Sequence, residues 1–187
     1  MKVKEYWDER YANGGNSGRG SYNEHYEFKT NMINGIIEKY NIKSITDFGC
    51  GDGNQISGLK VNDYLGLDIS KEAVKLCTDK YVNDNTKSFI VYDNETILEN
   101  SDLTMSLDVI YHIFEDDLFE KYMNDLIMYS NDYILIYSSN FEDINWNQHV
   151  RHRQFDKMLI NVATLVEHIP NILPDCSANF YLYKLIK

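Results

Sequence analysis

Asp47-Phe48-Gly49-Cys50-Gly51-Asp52-Gly53 is the stretch that decides the fold of this chain. It follows a short apolar run, Ile45-Thr46, and residues 42–48 read as a strand. It leads into Asn54-Gln55-Ile56, which predicts the opening of a helix. Glycines at 49, 51 and 53 carry no Cβ, so the backbone can turn sharply and let a ligand lie against it. A strand, a glycine turn and a helix start make a nucleotide-type cradle. The next apolar run, Tyr64-Leu65-Gly66-Leu67, ends in Asp68. That carboxylate stands about 20 residues beyond Asp47, where a strand-end acid meets a ribose diol.

Outward from this turn the chain alternates helix and strand signals. Phe28, Met32, Ile33, Ile36, Ile37 and Tyr40 recur at helical spacing, and Asn41 can end that helix. Ser70 can cap a helix running to about Tyr81, with Ala73, Val74, Leu76 and Cys77 inward. Residues 88–92 and 103–107 read as strands, and Asp116 can cap a helix carrying Phe119, Tyr122, Met123 and Leu126. Residues 133–137 (YILIY) are apolar on both faces, as in a central strand. A short helix over 154–160 and strands over 163–169 and 178–186 follow. The sum predicts a doubly wound α/β chain with a mostly parallel sheet. With 187 residues a single domain, 1–187, is expected. Its first 27 residues are polar, aromatic and glycine-bearing at 14, 15, 18 and 20, and read as a short helix over 4–11 and then a mobile lid over a core spanning 28–187.

Composition narrows the partners. The formal charge is −11, from 18 basic and 29 acidic residues, which disfavours nonspecific binding to nucleic acid or to an anionic membrane. Cys50, Cys77 and Cys176 are odd in number and form no C-x-x-C, so neither a disulfide framework nor a metal site is expected. MKVKEYWDER turns charged at once, and no apolar run approaches the length of a membrane span. A cytoplasmic protein is the expectation; the oligomeric state is not legible.

DFGCGDG, followed by GLDIS (66–70) and SDLTMSLDVIYHI (101–113), resembles the class I methyltransferases that use S-adenosylmethionine. WDERYANGGNSGRGSY, EFK, GCGDGNQ, SLDVIYHIFED, IYSSN and HVRHRQF resemble a small bacterial group of these enzymes and cover most of the chain. The resemblance implies a seven-stranded Rossmann-like sheet with an antiparallel last strand, and S-adenosyl-L-methionine as cofactor. It implies that Gly49, Cys50 and Gly51 meet the methionine part through their backbone, that Asp68 takes the ribose hydroxyls and that Ile69 packs on adenine. It places Asp93 at the adenine amino group, with a loop-capping carboxylate as the alternative, and Leu107 beside the methionyl portion. Tyr6, Trp7, Arg10 and Tyr11 would close over the cofactor. A dehydrogenase fits less well, because its turn needs G-x-G-x-x-G and this one reads G-x-G-x-G. No Gly-Lys-Ser/Thr follows, so a Walker-type phosphate loop is absent too.

Methyl transfer from a sulfonium is an in-line displacement, helped most by holding the nucleophile against the methyl group. An alcohol or amine acceptor also needs a base. His112 and His149 are the first candidates, with His152 a third; an alternative for His112 is a histidine that orders the 111–116 turn. His149, Arg151, His152 and Arg153 form the densest basic cluster of an acidic chain. Arginine forks suit phosphate or carboxylate, so Tyr111, Arg151, His152 and Arg153 are the expected acceptor contacts. The alternative is a solvated loop paired with Asp143 or Asp156. The Pro-Pro motif that marks methylation of nucleobase amino groups is missing: the place reads SLDV, and Pro170 and Pro174 lie elsewhere. A small-molecule acceptor is expected, methylated at oxygen on a sugar, phosphoryl or phosphoramidate-type group, as in polysaccharide modification. A small amine acceptor, or a non-catalytic cofactor-binding module, are the alternatives.

Overall fold

Alternating helical and strand periodicities resolve into four α-helices and seven strands among the described residues of a computed structural model, namely 3–93, 95–143, 149–174 and 176–187. The helices are α1 Val3–Ala12, α2 Asn23–Tyr40, α3 Lys71–Lys80 and α4 Asp116–Met128. The strands are β1 Ser44–Phe48, β2 Asp63–Asp68, β3 Lys87–Val91, β4 Ser101–Leu107, β5 Ser130–Ser138, β6 Ala163–Ile169 and β7 Asn179–Leu185. They form one sheet in the order β3-β2-β1-β4-β5-β7-β6. β1, β2 and β3 run parallel, as do β4 and β5, while β7 is antiparallel to both β5 and β6. The expected mostly parallel sheet with an antiparallel last strand is the one observed. The chain packs as two compact units, 1–98 and 99–187.

In the first unit α2 begins at Asn23, earlier than its apolar stripe. His25, Lys29 and Thr30 continue the buried face that Ile33, Ile36 and Ile37 complete. Polar residues at helical spacing carry the first half of that face, so hydrophobicity alone shows only the second half. Asn41, in the left-handed region at φ 55°, ends the helix and donates its N–H to Ile37 and Glu38 carbonyls. Ser70 caps α3 as expected, its Oγ accepting from the Ala73 N–H at 3.2 Å. The helix expected after the glycine turn does not form. Residues Gln55–Gly58 make a single 3-10 turn, and Gly58 sits so close to Tyr26 and Thr30 of α2 that a Cβ would meet the Tyr26 hydroxyl at 2.7 Å. The chain then returns directly to β2.

In the second unit Ile134, Leu135, Ile136 and Tyr137 are consecutive and buried, as a strand covered on both faces requires. β6 lies at the sheet edge, with Thr164, Leu165 and Val166 exposed. Glu115, not Asp116, occupies the cap position of α4; Asp116 and Asp117 fill its first turn, where negative charge suits the helix dipole. The short helix expected over 154–160 is a 3-10 turn, Phe155–Met158, with Phe155 buried. No helix among the described residues is long and apolar enough to cross a membrane. Leu135→Ala should cost about 3 kcal/mol in urea unfolding, against less than about 0.5 kcal/mol for Leu165→Ala on the exposed edge. Similar losses for the two would mean that β5 is not the packed centre of its unit.

Candidate active site

Gly49, Gly51 and Gly53 all adopt positive φ, at 96°, 58° and 68°, so the alternation read from sequence is a conformational requirement. Two of them also face protein. A Cβ on Gly51 would stand 2.2 Å from Ser17 Oγ and 3.0 Å from the Tyr11 hydroxyl; one on Gly53 would stand 2.9 Å from Cys77 Sγ and from the Tyr81 ring. Every amide from 49 to 54 is donated within the first unit. Gly49 and Cys50 donate to the Leu67 carbonyl at 2.7 and 2.9 Å, and Gly53 donates to Cys50 O. Gly51 donates to Asp68 Oδ2 at 2.9 Å, Asp52 to Ser17 Oγ at 3.0 Å and Asn54 to Asp52 Oδ1 at 3.0 Å. A pyrophosphate cradle needs such N–H groups for its own oxygens. This turn offers a ligand carbonyl oxygens and carboxylates instead.

Asp68, at the end of β2, accepts from Gly51 N–H through one oxygen and from Ser70 N–H, at 2.8 Å, through the other. Burial pushes its carboxyl up to about 6, partly offset by those two amides. Each carboxylate oxygen has two acceptor sites, so both keep capacity for a further donor. Asp47, at the foot of the turn, accepts the Tyr64 hydroxyl at 2.7 Å through Oδ2. Its Oδ1 is buried with no hydrogen-bond partner, and burial pushes the carboxyl up to about 7 against the opposing effects of Tyr64 and the fully buried Lys29. Cys50, beside Cys77 and buried, is held well above the ordinary thiol range, so it is a neutral thiol. Ile69 is half-buried between Asp68 and the start of α3. Asp93 lies exposed beyond β3, and its Oδ1 accepts from the Glu95 N–H at 3.0 Å and the Thr96 hydroxyl at 2.8 Å, capping its own loop.

The N-terminal segment folds onto this turn. Asp8 of α1 accepts from the Ser70 hydroxyl at 2.7 Å and the Lys71 N–H at 3.0 Å, at the N-terminus of α3. Trp7 stacks on Tyr11 with ring centroids 5.7 Å apart, and Arg10 reaches over the Trp7 ring. Tyr11 is buried, and its hydroxyl lies 3.1 Å from Ser17 Oγ. Burial, then the nearby Asp68 charge, raises the Tyr11 phenol far above its ordinary value, so it stays protonated. Ser17 N–H and the Tyr22 hydroxyl both donate to Asp52 Oδ2 at 2.8 Å. Sequence reasoning singled out Tyr11 but missed Asp8, Ser17, Tyr22 and Asp52. Their one signal was an acid inside the glycine turn at 52.

The second unit gathers the remaining candidates. Leu107 ends β4 nearly buried, followed by Asp108 at φ 60°. Asp108 Oδ1 accepts from the Tyr111 hydroxyl at 2.6 Å, and burial first, then Asp108, raises the Tyr111 phenol so that it is a donor. The 108–116 and 149–153 loops are laced together. Arg151 N–H donates to Tyr111 O at 2.8 Å, and His112 Nδ1 lies 2.7 Å from His149 O. A carbonyl only accepts, so in the neutral ring Nδ1 carries the proton and Nε2 is the basic nitrogen. His149 contributes its carbonyl; its side chain is exposed. His152 Nδ1 is 2.6 Å from the hydroxyl of buried Ser139, with the ring between Phe141 and Tyr111.

Both arginines of the cluster pair with Asp116. Arg153, with a side chain 5% exposed, donates Nε to Ile113 O, Nη2 to Phe114 O and Nη1 to Asp116 at 2.7 Å, and lies 4.6 Å from the Phe119 ring centroid. Arg151 Nη1 also bonds Phe114 O and pairs with Asp116 at 2.9 Å. The Asp116 carboxyl is held low by Arg153 first and by Arg151.

Acidic side chains around a turn with no free amide suit a cationic ligand that carries hydroxyl and ammonium donors. S-adenosylmethionine, with its ribose diol, ammonium and sulfonium, is such a ligand. Residues 46–125 match the family model described as a methyltransferase domain. No curated protein sequence matches the chain. Among solved structures, the N-methyltransferase NodS of Bradyrhizobium japonicum with bound S-adenosylhomocysteine is similar over 100% of both chains, at 14% identity and a TM-score of 0.82. The magnesium protoporphyrin IX methyltransferase ChlM of Synechocystis, also with S-adenosylhomocysteine, is similar over 97% of both, at 15% identity and a TM-score of 0.72. Phosphoethanolamine N-methyltransferase 1 of Haemonchus contortus is similar over 98% of this chain and 48% of its own, at 12% identity and a TM-score of 0.72. Residues 46–125 thus form a methyltransferase domain that uses S-adenosylmethionine, within a sheet of the same fold as these structures.

Proposed function

We propose that the enzyme methylates an oxygen of a small-molecule acceptor, with His112 as the base that takes the acceptor's proton. One observation carries this reading: the bond of His112 Nδ1 to the His149 carbonyl, which leaves Nε2 as the basic nitrogen of a ring whose orientation is set. An alcohol has a proton to lose as its oxygen attacks, and a positioned imidazole removes it near neutral pH. When bound, S-adenosylmethionine supplies a methyl group on a positively charged sulfur. In this reading Asp68 accepts the ribose hydroxyls, Gly49, Cys50 and Gly51 present carbonyls to the methionine ammonium, and Tyr11 covers the turn. Ile69 lines the adenine side, with Asp93 receiving the adenine amino group and Leu107 along the methionyl chain. The N-terminal segment is the lid, and its closure keeps water from the donor.

Tyr111, Arg151 and His152 are the acceptor contacts of this reading. Arg153 is reassigned: its guanidinium is buried and bonds Ile113, Phe114 and Asp116, so it holds the loop. The Arg151 and Arg153 guanidiniums beside Asp116 bring positive charge to this loop, which suits an anionic sugar or phosphoryl acceptor. A net charge of −11 argues against a nucleic-acid acceptor. The names of NodS and the Haemonchus enzyme favour a second reading, transfer to a small amine. A labelled methyl donor offered with hydroxyl, phosphoryl, carboxyl and amine acceptors of low mass decides between them.

His112→Ala should lower turnover of a hydroxyl acceptor by roughly 100-fold or more and leave an already ionised acceptor nearly untouched. Full turnover of the hydroxyl acceptor by that variant would remove His112 from the reaction. Asp68→Ala should abolish S-adenosylhomocysteine binding in calorimetry. Protonation turns Asp68 from acceptor into donor, and its carboxyl titrates at about 6. Affinity for S-adenosylhomocysteine should therefore be level above pH 7 and weaken as pH falls through 6, up to about tenfold per pH unit. In Asp68→Asn the slope through pH 6 should shrink; an unchanged slope would point to another group.

A further inference from the structure

We propose that Asp52 is the latch of the N-terminal lid and sets the rate at which the cofactor enters and leaves, acting as a positioning residue through Ser17 and Tyr22. The proposal rests on reading the glycine turn as the cofactor cradle. Nothing in the methyl-transfer chemistry requires an acid at 52, yet three donors converge on it. Oδ1 accepts Asn54 N–H at 3.0 Å, which shapes the turn itself. Oδ2 accepts Ser17 N–H and the Tyr22 hydroxyl, both at 2.8 Å, and these two come from the lid. The exchange is reciprocal, because Asp52 N–H donates back to Ser17 Oγ at 3.0 Å. Asn54 adds a fourth tie, its amide donating to Ser21 O at 2.6 Å.

The lid is held at two places of different kinds. Asp8 holds α1 at the N-terminus of α3 through Ser70 and Lys71. Asp52 holds the far end, residues 17–22. Between them the chain is folded on itself: Arg10 Nε donates to Asn16 O at 2.6 Å, Gly15 N–H donates to Arg10 O, and Gly14 and Gly18 adopt positive φ. Releasing Asp52 therefore frees the 17–22 end without unwinding α1. The seat is tight, since a Cβ on Gly51 would displace Ser17 Oγ from 2.2 Å. Gly51 is thus required by the lid as well as by its own backbone conformation.

Charge is essential at this point. Burial raises the Asp52 carboxyl, but the Ser17 and Asn54 amides and the Tyr22 and Ser17 hydroxyls outweigh it and hold the group below the ordinary carboxylate range. The latch is therefore ionised at neutral pH. An asparagine has a single accepting oxygen, so it can serve either the Asn54 N–H or the Ser17 and Tyr22 donors but not both sets, and it brings charge to neither. Asp52→Asn thus weakens the latch in either orientation of the amide.

Stopped-flow displacement of S-adenosylhomocysteine from the full chain tests the proposal, with hydrogen exchange read in parallel. Asp52→Asn should speed dissociation by at least about tenfold, the scale expected from losing charge-assisted hydrogen bonds. Tyr22→Phe, which removes one donor and leaves the glycine turn intact, should give a smaller change in the same direction. Exchange over residues 13–22 should quicken in both variants while β1, β2 and α3 stay protected. Wild-type dissociation rates, or unchanged exchange over 13–22, in an Asp52→Asn protein that still binds would overturn the latch alone. A wild-type chain that binds no S-adenosylhomocysteine would overturn the cradle reading and the latch with it.

Discussion

Two amide hydrogen bonds to the Asp68 carboxylate hold the first unit's site together. One oxygen takes the Gly51 N–H from the turn after β1, and the other takes the Ser70 N–H at the start of α3. A single side chain at the end of β2 thus fixes two chain reversals that are remote in sequence. Ser70 in turn caps α3 and donates its hydroxyl to Asp8, so the position of α1 depends on the same point. The cost is visible in the carboxyl itself, pushed up to about 6 because burial outweighs the two amides that stabilise its charge. A ligand that adds donors to Asp68 relieves part of that burial penalty, so binding and local stability are linked through one group.

The commitment of every amide from 49 to 54 gives the turn its chemical character. A glycine turn with free N–H groups ahead of a helix attracts phosphate. Here the donors go to Leu67, Asp68, Ser17, Cys50 and Asp52, and only a 3-10 turn follows. What remains is acceptor-rich and negatively charged. The G-x-G-x-G spacing hints at this difference from a dinucleotide turn, but the hint is positional. The hydrogen bonds supply its physical reason, and they show that two of the three glycines also make room for Ser17 and for α3.

Strands were the most legible part of the chain, because alternation and full burial leave plain patterns: 163–169 matches β6 residue for residue, and 133–137 lies within β5. Helix α2 was half legible, since His25, Lys29 and Thr30 face inward where a hydrophobic stripe would be sought. The contacts between residues 17–22 and the glycine turn were not legible. Ser17 and Asp52 are 35 residues apart, and nothing local in either segment names the other. The basic cluster was legible as a cluster, while its partner was not: Asp116 follows the 108–113 turn and meets the arginines only because the two loops lie side by side.

That pairing bears on how the second unit's histidines could be kept in place. The 149–153 loop has no regular secondary structure, and exposed loops are poor platforms for catalysis unless something stiffens them. Arg153 does so by giving three nitrogens to the 113–116 segment, and the Arg151 N–H adds a main-chain bond to Tyr111. Asp108, at φ 60°, directs Tyr111 from the other side through its carboxylate. The arginines' first task is therefore mechanical. His112 gains a fixed tautomer because the His149 carbonyl is carried on a loop that these bonds hold down, so in the proposed reading its chemistry rests on Arg153, a residue that need never touch the acceptor.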